Sequence, residues 1–548
     1  MATSTTKQDI LQKYFPYISS LRDIQESAID KIQAGRNTLC LMPTGGGKSL
    51  IYQVAGLLSN KITLVISPLI ALMRQQSERL NQQKIESICL SGLDTKQYYS
   101  MLHDFSFVDE SKFIFISPEK AAFDGYLEYL FRRYQPNIGL VVLDESHCVS
   151  QWGHSFRPAY KALPLFLDRV FGSSNWPTLL CLTATLNPKD REEICTDFRI
   201  SQENILESSS LLRKNIQFNF ETHPDEAAKK ARLTELLEQH QDDKIIVYAH
   251  RKKGKFGTKV LAEELQAEGW NCDFFDADLD DSRKEIVLKS FETGKTQIVF
   301  ATSAFGMGID IPDIRVVIHY LIPESIEQYY QEVGRSGRDG KPSYGYLLYS
   351  PTNIRIRQDM IKASFPSEAE IVDACSNPPI TLRRGNKVGS FSPWLNGSEK
   401  TDQLIIFFIL LELGFVRIVA KGISDITCFS YFKGVELIEF DNLLKASRVG
   451  ITIAIANKLD ISIAEITNHL YEWYTNGLLK LTHSPTKVMF YEYPEKPNDT
   501  DIKKIADDFE RKKNSRLTAF RQLIQLIESG QDPALGISQH LGIKLSDI

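Results

Sequence analysis

Residues 38–53 read TLCLMPTGGGKSLIYQ. A short apolar run, Thr38 to Met42, enters a glycine triplet and leaves it as an apolar helix pattern. Strand, glycine loop and helix in that order open a βαβ unit and predict a parallel sheet. Glycines let backbone N–H groups approach anionic oxygens, and the N-terminus of the next helix favours negative charge. Thr44, Gly45, Gly46 and Gly47 would therefore cradle phosphates. Lys48 would reach the β- and γ-phosphates of a nucleotide, and Ser49 would ligate Mg²⁺. The strict phosphate-loop pattern has Gly where this chain has Met42. A glycine-rich turn without function is the bland alternative, and the strand before it and the helix after it argue against that.

The alternation continues on both sides. Strand candidates are Thr38–Met42, Ile62–Ser67, Phe113–Ser117, Gly139–Asp144 and Leu179–Thr183. A second series comprises Lys244–Ala249, Asn271–Phe275, Gln297–Ala301, Val316–Tyr320 and Gly345–Tyr349. Two series separated by helical patterns predict an α/β protein with two parallel-sheet lobes. Their join is expected near Glu207–Arg213, where serines interrupt the pattern. After about residue 350 the pattern changes to helices with small hairpins. The expected domains are 1–207, 208–350, 351–440, 441–500 and 501–548. The fourth, with SIAEITNHLYEWYTNG (462–477) before a hairpin tipped by Ser484-Pro485-Thr486, reads as winged-helix-like. A second candidate hairpin is 415–432.

Size and composition fit this outline. The chain has 548 residues, 43 % hydrophobic and 24 % charged, enough for several buried cores. A net charge of -5 argues against a wholly basic nucleic-acid coat and leaves room for a local basic groove. The eight cysteines lack CxxC spacing and read as reduced core residues. No apolar run approaches the roughly 18 residues of a membrane span, and Leu404–Leu411 reads as a buried helix. The N-terminus has no apolar signal region, so a cytoplasmic protein is expected, nucleoid-associated if bacterial.

Residues 141–160 read VVLDESHCVSQWGHSFRPAY. Asp144 would hold the hydration shell of Mg²⁺, and Glu145 would orient or deprotonate an attacking water. The rings and cation that follow, Trp152, His154, Phe156 and Arg157, are surfaces on which unstacked bases rest. Loop aromatics more often pack as satellites of a core. In the second lobe QYYQEVGRSGRDG (328–340) places Arg335 and Arg338 three apart, so that on a helical turn they point one way. Two guanidinium groups aimed at a γ-phosphate would be arginine fingers. An Arg pair alone is usually surface charge, but this one follows FATSAFGMGIDIPD, a strand ending in a glycine-rich loop.

Taken together these segments resemble the RecQ group of superfamily 2 helicases over roughly residues 10 to 350. The matching stretches are LRDIQESAI (21–29), MPTGGGKSLIYQ (42–53), VISPLIALMRQQ (65–76), FISPEK (115–120), LDESHCVSQWGHSFRPAY (143–160), LTAT (182–185), ATSAFGMGIDIPDIRVVIHY (301–320) and SIEQYYQEVGRSGRDG (325–340). The resemblance implies two RecA-like lobes, ATP and Mg²⁺ as cofactors, and 3′-to-5′ translocation on single-stranded DNA with separation of forked duplexes. It implies that Gln25 reads adenine with Arg22 in support. Thr183 and Thr185 would couple hydrolysis to movement, and Gln331, Arg335 and Arg338 would meet the γ-phosphate. Gly308 and Asp310 would link the second lobe to both ligands. Trp152, His154, Phe156 and Arg157 would sense DNA. Ser67, Pro68 and Arg74 of the first lobe, and Arg251, Lys252 and Thr302 of the second, would contact its backbone.

The departures are specific. Ile18 stands where an aromatic is usual, with Tyr17 one residue off. Ser155, Ala159 and Ile311 replace usual polar or basic residues. The common four-cysteine zinc site has only Cys375 and Cys428 to draw on, and Asp532 falls where a cysteine is expected. A zinc-free, apolar-packed version is predicted. Protein partners are not legible, and a monomer is expected. Two other readings remain open at this point: a duplex translocase that does not unwind, and an ATP-gated DNA clamp.

Overall fold

A computed structural model describes residues 5–43, 45–93, 97–98, 101, 111–149, 158–184, 186, 188–208, 213–251, 254, 256–305, 311–376, 380–383, 386–391, 401–423, 428–430, 462–476, 479–481 and 487–541. The first lobe is a seven-stranded sheet of β1 (Thr38–Leu41), β2 (Ile62–Ile66), β3 (Ser87–Cys89), β4 (Phe113–Ile116), β5 (Ile138–Leu143), β6 (Thr178–Thr183) and β7 (Ile205–Glu207). Their order is β3-β4-β2-β5-β6-β1-β7, and every pairing is parallel. The central strands are buried on both faces, which is why they read as unbroken apolar runs. Expected strands appear at all five places, shifted by a residue at their ends.

The second lobe is a six-stranded parallel sheet. It comprises β8 (Ile216–Thr222), β9 (Lys244–Tyr248), β10 (Cys272–Phe275), β11 (Ile298–Ala301), β12 (Ile314–His319) and β13 (Ser343–Tyr349), in the order β10-β11-β9-β12-β13-β8. Sequence reading missed β3, β7 and β8. Two of these have only three residues. The third lies at a sheet edge, where IQFNFET alternates buried and exposed positions and carries a weaker apolar signal.

Beyond the lobes the described residues are mostly helical. An antiparallel sheet of β14 (Ile380–Arg383), β15 (Asn386–Phe391), β16 (Arg417–Ile423) and β19 (Lys487–Glu492) runs β14-β15-β19-β16. A two-stranded ladder pairs β17 (Cys428–Ser430) with β18 (Leu479–Leu481). The segments expected as hairpins thus divide differently: β16 and β17 join different sheets, and so do β18 and β19. Helix Thr401–Glu412 buries Ile405 through Leu410. Among the described residues no helix is long and apolar enough to cross a membrane. Asn498 caps the helix Asp499–Glu528, accepting from Thr500 and Asp501 amides. Asp532 does the same for Pro533–His540, its Oδ1 accepting from the Leu535 amide at 2.9 Å. The carboxylate expected in place of a cysteine is a helix cap.

The C-terminal region touches both lobes. Phe123 of the first lobe stacks near Phe408, ring centroids 5.9 Å apart. Both belong to a core shared with Ile246, Tyr329 and Val333 of the second lobe and Phe509 and Phe520 of the long helix. Against the first lobe, Lys421 of β16 buries its ammonium on Glu128 at 2.7 Å. Gly125 opens the neighbouring helix, Gly125–Tyr134, so close that an added Cβ would lie 1.9 Å from the Lys421 carbonyl oxygen. Glycine to alanine in a helix ordinarily stabilises. Here Gly125→Ala is expected to destabilise the docked region by about 1–3 kcal/mol, as other overpacked sites do. The check is a lower melting temperature together with faster limited proteolysis after residue 350.

Candidate active site

The glycine triplet needs its backbone freedom. Gly45 and Gly47 have φ of 74° and 82°, the left-handed region that side chains rarely enter. Gly47 is the N-cap of helix Lys48–Leu58, so amides of the first turn face the cradle. Gln25 and Arg22 hold the loop from behind. Gln25 Nε2 donates to the Gly47 carbonyl at 3.1 Å, and Arg22 Nη1 donates to the Gly46 carbonyl at 3.0 Å. The Arg22 amide donates to Gln25 Oε1 at 2.9 Å, which fixes the amide plane. These two residues, expected at the base, bind the loop backbone in this structure. Thr44 lies outside the described residues.

Helix Lys48–Leu58 and strand β5 bring the charged groups together. Lys48 Nζ is buried, 3.7 Å from Glu145 Oε1, with no hydrogen-bond acceptor among the described residues. An orphaned ammonium above a cradle of amides suits phosphate oxygens. Asp144 extends β5, its amide donating to the Ile66 carbonyl at 2.9 Å. Ser67 Oγ donates to Asp144 Oδ2 at 3.3 Å, and the Tyr160 hydroxyl donates to the Asp144 carbonyl at 2.6 Å. Ser67 and Pro68, expected on DNA, are buried here. Glu145 has φ of 50°, a strained conformation for a non-glycine residue. That turn throws its carboxylate toward Lys48 while Asp144 stays with Ser67.

Environment separates the two carboxyls. Burial and the adjacent Glu145 charge push Asp144 up to about 6, with Lys48 pulling the other way. Burial opposes the Glu145 charge too, but Lys48, His147 and Arg335 outweigh it and hold that carboxyl well below its ordinary range. Glu145 is thus ionised, as a group that orients water or accepts its proton must be. Asp144 and Ser49 offer the hard oxygen donors that Mg²⁺ takes. Sequence reading gave no role to His147, although it stands in DESH. Its Nδ1 lies 3.3 Å from Glu145 Oε2 and 3.1 Å from Thr183 Oγ1, so it joins the carboxylate to the LTAT segment.

The second lobe closes the other side. Helix Ile326–Val333 carries Gln331 and ends at Gly334. Arg335 and Arg338 lie in the turn that follows, not on the helix as the spacing suggested. Arg338 packs over the phosphate loop: a Cβ built on Gly45 would meet its Cγ at 3.7 Å. Arg335 is buried and lies within electrostatic reach of Glu145 and of the Tyr248 hydroxyl, which donates to the Phe305 carbonyl at 2.8 Å. Two further residues were missed. Arg213 donates to the carbonyls of Gly334 and Gly337, and Asn215 Nδ2 donates to Gly337 O at 2.8 Å. They brace the arginine turn, and neither has a sequence signal beyond its polar character.

The expected nucleic-acid residues are described in part. Arg74 donates to the Gly92 carbonyl. Thr302 is buried at the end of β11, its Oγ1 accepting from the Ala304 amide at 3.3 Å. Arg251 follows β9, half-buried over Gly254. Trp152, His154, Phe156, Arg157, Thr185, Lys252, Gly308 and Asp310 lie outside the described residues.

Comparison with known proteins agrees with this geometry. A DEAD/DEAH box helicase profile matches residues 22–194, and a helicase conserved C-terminal domain profile matches 228–340. The chain is similar to the probable ATP-dependent DNA helicase RecS of Bacillus subtilis, 33 % identical over 372 residues, 67 % of this chain and 72 % of that one. It is 34 % identical to ATP-dependent DNA helicase RecQ of the same organism, over 67 % of this chain and 60 % of the relative. With the RecQ-like DNA helicase BLM of Xenopus laevis it shares 36 % identity, over 62 % of this chain but 25 % of the relative. Among solved structures, Saccharomyces cerevisiae Dbp5 bound to RNA and ADP BeF3 aligns with a TM-score of 0.51 at 20 % identity, covering 66 % of this chain and 91 % of that one. The helicase MrfA bound to DNA aligns at 0.51 and 17 % identity, over 76 % and 62 %. At that identity they share the two-lobed fold.

Proposed function

Because this chain belongs to the RecQ family of ATP-dependent DNA helicases, we propose that it hydrolyses ATP to move 3′-to-5′ along single-stranded DNA and to part forked duplexes. The observation that carries this reading is the meeting of two half-sites. Lys48 and Glu145 come from one lobe, and Arg335 and Arg338 from the other.

The roles follow from where the charges sit. The Gly45–Gly47 amides and Lys48 bind the β- and γ-phosphates. Ser49 and Asp144 would hold Mg²⁺, which when bound would neutralise phosphate charge. Glu145 orients the attacking water and takes its proton. Arg335 and Arg338 stabilise charge that builds on the γ-phosphate oxygens, in a cleft where few waters compete. ATP draws the lobes together and its hydrolysis releases them, a hinge cycle. Arg74, Arg251 and Lys252, with the 151–157 loop, track the strand and report its presence to Glu145 through the shared DESH segment. The protein would act as a monomer, in the cytoplasm or on a nucleoid, without a structural zinc.

The test is strand separation on duplexes with a 3′ or a 5′ single-stranded tail. ATP-dependent separation of the 3′-tailed duplex alone is expected. Triplex displacement without duplex separation would identify a duplex translocase instead. Equal separation with a non-hydrolysable ATP analogue would identify a clamp.

A further inference from the structure

Three buried side chains that the hydrolytic mechanism leaves unused converge in the second lobe. His250 follows β9, His319 ends β12, and Glu332 lies on helix Ile326–Val333, directly after Gln331. His319 Nε2 lies 2.7 Å from Glu332 Oε2, and His250 Nε2 lies 3.1 Å from the same oxygen. Gln328 Nε2 donates to the other carboxylate oxygen at 3.0 Å. The Tyr248 ring stacks on both imidazoles, centroids 5.3 Å away in each case, and its hydroxyl lies within electrostatic reach of Arg335. The cluster therefore ties the end of β9 to the segment that carries Gln331 and Arg335.

A dication is one occupant that the spacing allows, since the three ligand atoms lie within 4.8 Å of one another. The surrounding charge argues against it. Arg357, fully buried, acts electrostatically on both His250 and Glu332, and a single carboxylate would face that cation and the metal together. Hydrogen bonds from His319 and Gln328 account for the carboxylate better. Burial pushes His250 down to about 4 against the pull of Glu332, so at neutral pH the ring is uncharged and rests 3.1 Å from that carboxylate without an aligned hydrogen bond.

The backbone at His250 is the second observation. Its φ is 52°, and a histidine in the left-handed region is strained. Strain of this kind persists where the surroundings over-determine it, and it gathers at switch regions. The reversal at His250 sets its ring beside Glu332 and leads directly into Arg251.

We propose that His250 is a positioning residue that couples DNA contact at Arg251 to the arginine turn through Glu332. A shift of Arg251 on DNA moves His250. The shared Glu332 carboxylate carries that shift to Gln331 and Arg335, which then meet the γ-phosphate. The inference rests on the helicase reading and adds a route from DNA to ATP through the second lobe, separate from the 151–157 loop of the first.

The test compares the full chain with His250→Ala and His250→Gln, using oligothymidylate as the DNA. Four quantities are read: kcat for ATP with and without DNA, KM for ATP, DNA affinity by anisotropy, and melting temperature. The Gln amide reaches about as far as the imidazole Nε2 and keeps the N–H. The alanine variant is expected to lose about fivefold or more of the DNA-stimulated ratio, the lower range of ordinary couplings, with DNA affinity kept and the glutamine variant restored. Stimulation retained in His250→Ala overturns the relay and leaves the helicase reading intact. Equal losses in both variants with a lower melting temperature make His250 a structural residue and overturn the relay. No stimulation of the unaltered chain by DNA overturns the helicase reading, and the relay with it.

Discussion

Arg338→Ala is expected to lower kcat for ATP hydrolysis by about a thousandfold or more, the scale of an arginine finger, with a much smaller change in ATP affinity. The reason is geometric. Arg338 crosses from the second lobe and packs on Gly45, where the phosphates would lie. Its charge is most useful once negative charge has moved onto the γ-phosphate, so its loss falls on the transition state more than on the bound ground state. Arg335 differs: it is buried, lies within electrostatic reach of Tyr248, and acts on Glu145. Arg338→Lys should not restore the rate, because a flexible ammonium lacks the planar fork that spans two phosphate oxygens. Single-turnover hydrolysis beside direct ATP binding separates the two effects. Near-normal turnover in Arg338→Ala would remove this residue from the catalytic set.

The second large effect concerns how the C-terminal region is held. Glu128→Ala should cost roughly 3–5 kcal/mol in the docking of that region, the usual penalty for leaving a buried charge without its partner. Glu128 and Lys421 are each about 2 % exposed in their side chains and lie 2.7 Å apart. Arg169 Nε donates to the other Glu128 oxygen at 2.7 Å. Removing the carboxylate leaves the Lys421 ammonium with the Ala121 carbonyl, 3.2 Å away, as its hydrogen-bond acceptor. Arg169 reaches solvent and adapts, whereas Lys421 cannot. Replacing both members, Glu128→Leu with Lys421→Met, should recover most of the loss, since an apolar pair of similar volume needs no desolvation. Urea unfolding followed by a probe on β19 reads the difference. An unchanged transition in Glu128→Ala would mean that Phe123 and its apolar neighbours hold the region alone.

Most of the candidate catalytic set is legible in residues 38–53 and 141–160. A phosphate loop needs left-handed glycines followed at once by a helix start, and GGGKS supplies both within five residues. The Asp144–Glu145 pair is legible for a similar reason, because a strand end presents consecutive carboxyls to one edge of the sheet. Arg338 was legible as a cation, and its partner Gly45 was not. Arg22 and Gln25 were legible only as adenine contacts that the resemblance implies, and their hydrogen bonds to Gly46 and Gly47 depend on how one helix leans on another. Arg213, Asn215 and His147 act through backbone carbonyls or a shared carboxylate, contacts that leave no spacing in the chain. The paired segments of the C-terminal region failed as hairpins because β17 and β18, like β16 and β19, find partners outside their own turn.

The two parallel-sheet lobes and the candidate nucleotide-site residues follow from the chain alone, because both rest on short-range rules. Backbone sterics at glycine, the periodicity of buried strands and the dipole at a helix start act within a dozen residues. Packing decided which distant groups meet: Arg338 over Gly45, Lys421 on Glu128, and two histidines beside Glu332. Those pairings depend on burial. A charge deprived of water must find a partner wherever packing leaves one, and packing is set by segments far apart in the chain.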